Sequence, residues 1–212
     1  MHGLIKFVVF GLAAGLLVSA CSGEATERQR VSAADQCDGA LSSDAAHALE
    51  MVLRTKKFDH DPVGGLDRSV EQLTADYAKR ERLTTHPPMC RASAPGSVDR
   101  VDIDFGLYRE RDLFGDVHPY GLHAYDMGLE AQSGPQKAYL FVRCASPRLD
   151  GSQERAARIR GVLRFSNAEL PDTPAIREAN LTVLHSVTLA VVKKLRCENS
   201  AGLSDKPVFK PK

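Results

Sequence analysis

The sequence has no tryptophan, and its five Tyr and eight Phe bring the aromatic share to only 6%. Platforms that stack sugar rings need exposed flat side chains, so this scarcity argues against a carbohydrate-binding surface. Neither sign of charge is in excess: Lys and Arg number 28, Asp and Glu 27, and Lys6 is the only one of them before Cys21. A chain beginning at Cys21 is formally neutral and has no basic footprint for nucleic acid. Also missing are the Gly-x-Ser-x-Gly elbow, His-Glu-x-x-His, Ser-x-x-Lys, the phosphate-binding glycine loop and Cys-x-x-Cys. These absences exclude the enzyme classes that bear such motifs, and only those.

What is present suits one packed core. The chain has 212 residues, 43% of them hydrophobic and 26% charged, which matches a folded domain of ordinary size and composition. It is small for a two-lobed solute-binding protein.

Residues 1–6 give a short basic start, and FVVFGLAAGLLVSA then runs without charge from Phe7 to Ala20, as in a secretory leader. The run ends in Leu17-Val18-Ser19-Ala20-Cys21. This pattern resembles the lipobox of bacterial lipoprotein precursors. The resemblance implies that residues 1–20 are removed, that the Cys21 thiol receives diacylglycerol, and that the new amino group is acylated. Covalent lipid is then the only non-protein group expected, with no cofactor. The partner it provides is the membrane, at its extracytoplasmic face. Two or three acyl chains, at about 0.8 kcal/mol per buried methylene, anchor for practical purposes permanently. The alternatives are an uncleaved membrane helix over Phe7–Gly23, at the short limit of the ~17–25 residues a span requires, and leader cleavage without lipid. Residues 21–36 are polar and small, which suits a flexible tether.

Four further cysteines, Cys37, Cys90, Cys144 and Cys197, are an even set in a chain bearing an export signal, which reads as two disulfides. Three pairings are possible. Closure of sequence neighbours without threading favours Cys37 with Cys90 and Cys144 with Cys197. No two stand close enough for a zinc motif.

Hydrophobic spacing predicts a helix over 43–56, with Ser42 or Ser43 as N-cap, and a second helix opened by a Ser69/Gln72 capping box. Val101, Ile103, Phe105 and Leu107 then alternate with polar residues as in a half-buried strand. A hairpin is expected around Ser133-Gly134-Pro135-Gln136, with arms at 121–131 and 138–144, and a fourth strand at 158–165. Thr173-Pro174 opens a long helix as N-cap and N1. The expected fold is α+β, with two N-terminal helices, a four-stranded antiparallel sheet and a long C-terminal helix on one face. It forms a single domain over 37–198, whose Arg- and Asp-rich sheet face meets solvent, and 199–212 is a loose tail.

No residue is assigned a catalytic or metal role. The weak metal candidates are Asp116, His118, His123 and Asp126, in GDVHPYGLHAYD, where a solvated loop is the simpler account. Asp59-His60-Asp61 lies in a Pro/Gly turn whose own preferences explain Asp and His. His47 and His185 fall within helices, and the arginines of the fourth strand form either an anion-binding face or merely the wet side of the sheet. The leader, tether and four cysteines together resemble small disulfide-containing envelope lipoproteins of actinomycetes. That likeness implies no activity. The expected role is a membrane-anchored, non-enzymatic binding or accessory module facing an envelope protein or a small ligand. The alternatives are an envelope hydrolase or metal-dependent enzyme with its site near Asp116–Asp126, and a small-ligand-binding protein serving a transporter.

Overall fold

The computed structural model describes residues 29–61, 63–81, 86–115, 117, 119–167 and 169–212. The leader, Cys21, Asp116 and His118 lie outside the described residues.

One antiparallel sheet of eight strands organises the domain, where the alternation pattern predicts four. In chain order the elements are β1 (Arg30–Val31), α1 (Ser43–Leu53), β2 (Phe58–Asp59), α2 (Gly65–Lys79), β3 (Cys90–Ser93), β4 (Arg100–Leu107), β5 (His123–Tyr125), β6 (Glu130–Ser133), β7 (Lys137–Cys144), β8 (Ala157–Ser166) and α3 (Pro174–Lys194). The spatial order β1-β2-β3-β4-β8-β7-β6-β5 joins two four-strand meanders at β4 and β8. These two long strands pair from Arg100 opposite Ser166 to Leu107 opposite Ile159. The unforeseen strands are two to four residues long, too short to show a period of two. The hairpin at 133–136 forms, but its first arm is broken: a bend over 126–129 separates β5 from β6.

Helix starts follow the available caps. Ser42 Oγ accepts from the Ala45 N–H, so α1 begins where the sequence predicts, and it stops at Leu53 because Arg54 turns left-handed. Helix α2 begins four residues ahead of its predicted cap. Asp38, distant in sequence, accepts from the Leu66 N–H at 2.7 Å and stands at the amino end of α2, while Ser69 is buried inside the helix. Thr173 caps α3 through the Ile176 N–H, with Pro174 at its first turn.

Helix α3 is buried from Ala179 to Leu189 because the sheet lies on one side of it and α1 on the other. Several of its polar residues there are bonded. Ser186 accepts from the Ser42 N–H at 2.8 Å and donates to the Ala40 carbonyl, and Asn180 donates to the Gly134 carbonyl. Among the described residues no helix is long and apolar enough to cross a membrane.

Both disulfides join sequence neighbours, Cys37–Cys90 and Cys144–Cys197, each across 53 residues. Two boundary expectations change. The segment expected to be free tether is structured from Arg30 onward, because Arg30 and Val31 pair with β2 and Ala33 and Gln36 are buried. Residues 199–212 are not loose. Leu203 is buried, Phe209 meets the Tyr125 ring edge-on, and the backbone pairs with the β5 edge through Asp126 N–H to Lys210 O (2.8 Å) and Lys212 N–H to Ala124 O (3.1 Å). Pro207 and Pro211 prevent a regular strand but leave docking intact.

The face opposite the helices is only partly wet. Over β4 and β8 it is a charged lattice, with Arg91 and Arg100 on Asp102, Arg164 on Asp104, and Glu110 between Arg143 and Arg158. Over β6 and β7 the connection after β4 folds across it, placing Phe114 edge-on to Tyr139 and Phe141. The Phe114 and Gly115 N–H groups bond Glu130. Phe141 is fully buried as a result.

Candidate functional site

The residues singled out in the sequence do not converge. His123 opens β5 and reaches across to Asp172, with Nε2 3.4 Å from Oδ2. Asp172 is also held by Arg177, whose Nε donates to Tyr125 Oη at 3.4 Å. Arg177 first, and His123 second, hold the Asp172 carboxyl below its usual range. Leu122, His123, Tyr125, Arg177, Glu178 and Lys212 border a cleft of about 320 Å³ here. Asp126 faces a different depression, of about 220 Å³, beside the buried His185. Asp61 is paired with Arg91 at 3.6 Å, His60 is exposed, and His47 lies 3.9 Å from Glu50 on the outside of α1. Among the described residues no three His, Cys, Asp or Glu side chains are placed to hold a metal ion.

A larger cleft lies elsewhere, at the end of β4. Its floor is Leu107, continued by the buried Tyr108. One wall is the last turn of α2, with Tyr77, Ala78 and Arg80; the other is Asp150, Gly151, Glu154 and Arg155 of the β7–β8 connection. The cavity is about 570 Å³, and a lobe of about 280 Å³ carries it past Tyr77 and Arg155 to Tyr108 and Arg158. This is the size range of small-molecule sites.

The connection forming the second wall is rigid for reasons its serines explain. Ser146 N–H donates to Ser152 Oγ and Ser152 Oγ donates to the Ser146 carbonyl, both at 2.8 Å, which closes a loop around the buried Leu149. Ser146 Oγ and Arg148 Nη1 donate to the last carbonyls of α3, Leu195 and Lys194. The Cys144–Cys197 bond fixes the same two segments covalently. Tyr77 Oη donates to the Arg155 carbonyl at 2.8 Å and ties the walls together.

Chemically the cleft combines an apolar floor with guanidinium groups. Arg80 and Arg155 have exposed side chains and form no ion pair among the described residues, whereas Arg158 is held by Glu110 at 2.9 Å. Tyr108 Oη is buried beside Arg143, and burial pushes its pKa up, so the phenol stays neutral. Asp150 and Glu154 at the rim restrict the cationic character to the Arg80–Arg155–Arg158 side. None of these residues carries a motif. Tyr77 reads as one more apolar position on a helix, and 146–154 as a polar loop.

Fold and site define an α+β domain with two disulfides, a helix-backed antiparallel sheet and a polar cleft at one sheet end. No family model matches the chain, and neither a curated protein nor a solved structure is significantly similar to it.

Proposed function

We propose that the protein is a lipid-anchored extracytoplasmic binding module that presents the Arg155 cleft to a small ligand carrying an anionic group. Two disulfides in the body of the domain carry the first half of this reading, since such bonds persist in oxidising compartments outside the cytoplasm. They agree with the charge-free leader and the Leu17–Cys21 pattern, whose likeness to a lipobox supports diacylglycerol on Cys21. The second half rests on the rigid cleft, where Arg80 and Arg155, without an ion pair among the described residues, edge an apolar floor. Arginine forks favour carboxylate and phosphate oxygens.

Native mass spectrometry of protein purified from its own membrane is expected to show a bound small molecule, beyond the acyl groups, that Arg155→Glu loses. A wild-type protein without such an adduct, or one retained equally in Arg155→Glu and Tyr77→Ala, would remove the cleft from the account.

A further inference from the structure

His185 is a buried polar group that the fold leaves partly unsatisfied. It lies in the middle of α3 with only 2% of its surface exposed, and its Nε2 is buried without a hydrogen-bond partner among the described residues. What covers it is the carboxyl-terminal segment: Gly202, Leu203, Ser204 and Val208 border the same depression, opposite Asp126, Met127 and Gly128. Beyond that point the segment crosses to the β5 edge, where Lys210 O and the Lys212 N–H pair with the sheet and Pro211 and Lys212 form a wall of the His123 cleft. One strap therefore seals the imidazole at one end and closes the His123–Asp172–Arg177 cleft at the other.

We propose that residues 203–212 are a pH-responsive clasp, docked at neutral pH and released when His185 takes up a proton, which opens the cleft around His123. The physical reason is desolvation. An imidazolium buried under the strap is poorly solvated, and undocking the strap exposes it to water.

The charges facing His185 are of both signs. Asp205 on the strap favours the protonated ring and Lys193 on α3 opposes it; these two are themselves paired at 2.9 Å, and Asp126 borders the depression from the sheet side. Burial outweighs the Ser204 backbone and Asp205, and holds the His185 pKa below its ordinary value. The sign follows. With the docked pKa lowered, docking is fully favoured above the free histidine value of about 6.5 and weakens as pH falls below it. Asp205 is itself lowered by Lys193, so the strap's ion pair survives through that window and does not account for release there.

Hydrogen exchange of the Asp126 and Lys212 amides reads the clasp directly, because each bonds across the strap-to-β5 junction. In the purified protein their protection factors are expected to fall by up to about tenfold per pH unit below 6.5. The fall should vanish in His185→Gln, which keeps a neutral polar side chain, and persist in His123→Gln, which removes the other nearby imidazole. Cleavage of the wild-type strap on the amino side of Lys206 or Lys210, by a protease that cuts before lysine because Pro207 and Pro211 follow the two residues, gives a second reading that needs no variant to fold; normalised to an unstructured peptide cut at the same pH, it is expected to accelerate from about pH 7.5 to about pH 5.5. Wild-type protection and cleavage that do not change across this range overturn the proposal, and so does a pH dependence that follows His123.

Discussion

Replacing Cys144 and Cys197 together by alanine is expected to lower the unfolding free energy by about 4 kcal/mol and the thermal midpoint by on the order of 10 °C. Two properties of the bond set this size. It closes a span of 53 residues, so the unfolded chain without it regains the entropy of a long loop. Cys144 is also fully buried where β7 ends, and Cys197 lies just beyond α3, so the bond fastens the central helix to the central sheet. The loss should reach further than stability. The β7–β8 connection depends on the same anchor through Ser146 and Arg148, so exchange protection of the Leu149 and Ser152 amides should fall with it. Reductant, which opens Cys37–Cys90 as well, should displace the wild-type protein further. A reduced and an oxidised protein melting within a degree or two of each other would show that the bond holds nothing the core does not already hold.

Leu184→Ala is expected to destabilise the domain by about 3 kcal/mol, the mid-range for a leucine truncated in a core that cannot collapse around the void. Leu184 is fully buried where α3 approaches β8. That approach depends on Gly161 in β8: a Cβ there would stand 2.9 Å from the Phe105 ring and 3.1 Å from Leu184 Cδ1. With a glycine below and Leu184 above, neither side has a neighbour that can move in. Gly161→Ala should destabilise too, by overpacking, at about 1–3 kcal/mol. The double variant should recover part of the loss, since the methyl added at Gly161 enters the space vacated by Leu184. Urea midpoints of the two single variants and the pair measure this coupling. Losses that simply add would show that helix and strand do not meet at these residues.

How much of this was legible in the sequence depends on the length of each element. The alternation from Val101 to Leu107 and from Ile159 to Phe165 marks β4 and β8 plainly, and Thr173-Pro174 marks the start of α3. Two-residue strands such as Arg30–Val31 and Phe58–Asp59 have no period, and only their neighbours in space make them strands. Helix α2 begins early because Asp38 stands at its amino end from far away in sequence, which no local capping rule can foresee. One signal was available and was read on one face only. Ala138 to Val142 is apolar without interruption, as in a strand buried on both faces, and Tyr139 and Phe141 do receive Phe114 on the side expected to be wet.

The candidate sites were less legible than the fold. His123 and Asp126 are close in sequence, but the bend after β5 sends them to separate depressions, and the partner His123 finds is Asp172, 49 residues away. The Arg155 cleft brings together three stretches that share no motif, and its rigidity comes from serines whose bonds are invisible in a linear reading. His185 looks like any helical histidine until the strap is seen to cover it.

Attachment by lipid is the claim on which the functional reading turns, and metabolic labelling with a palmitate analogue, followed by mass spectrometry of the amino-terminal peptide, addresses it most directly. The expected result is a mature chain beginning at Cys21 and bearing acyl groups there, with Cys21→Ser unlabelled and released from the membrane fraction. A wild-type chain whose residue 21 carries no lipid, or a Cys21→Ser chain that still partitions with the membrane, contradicts it.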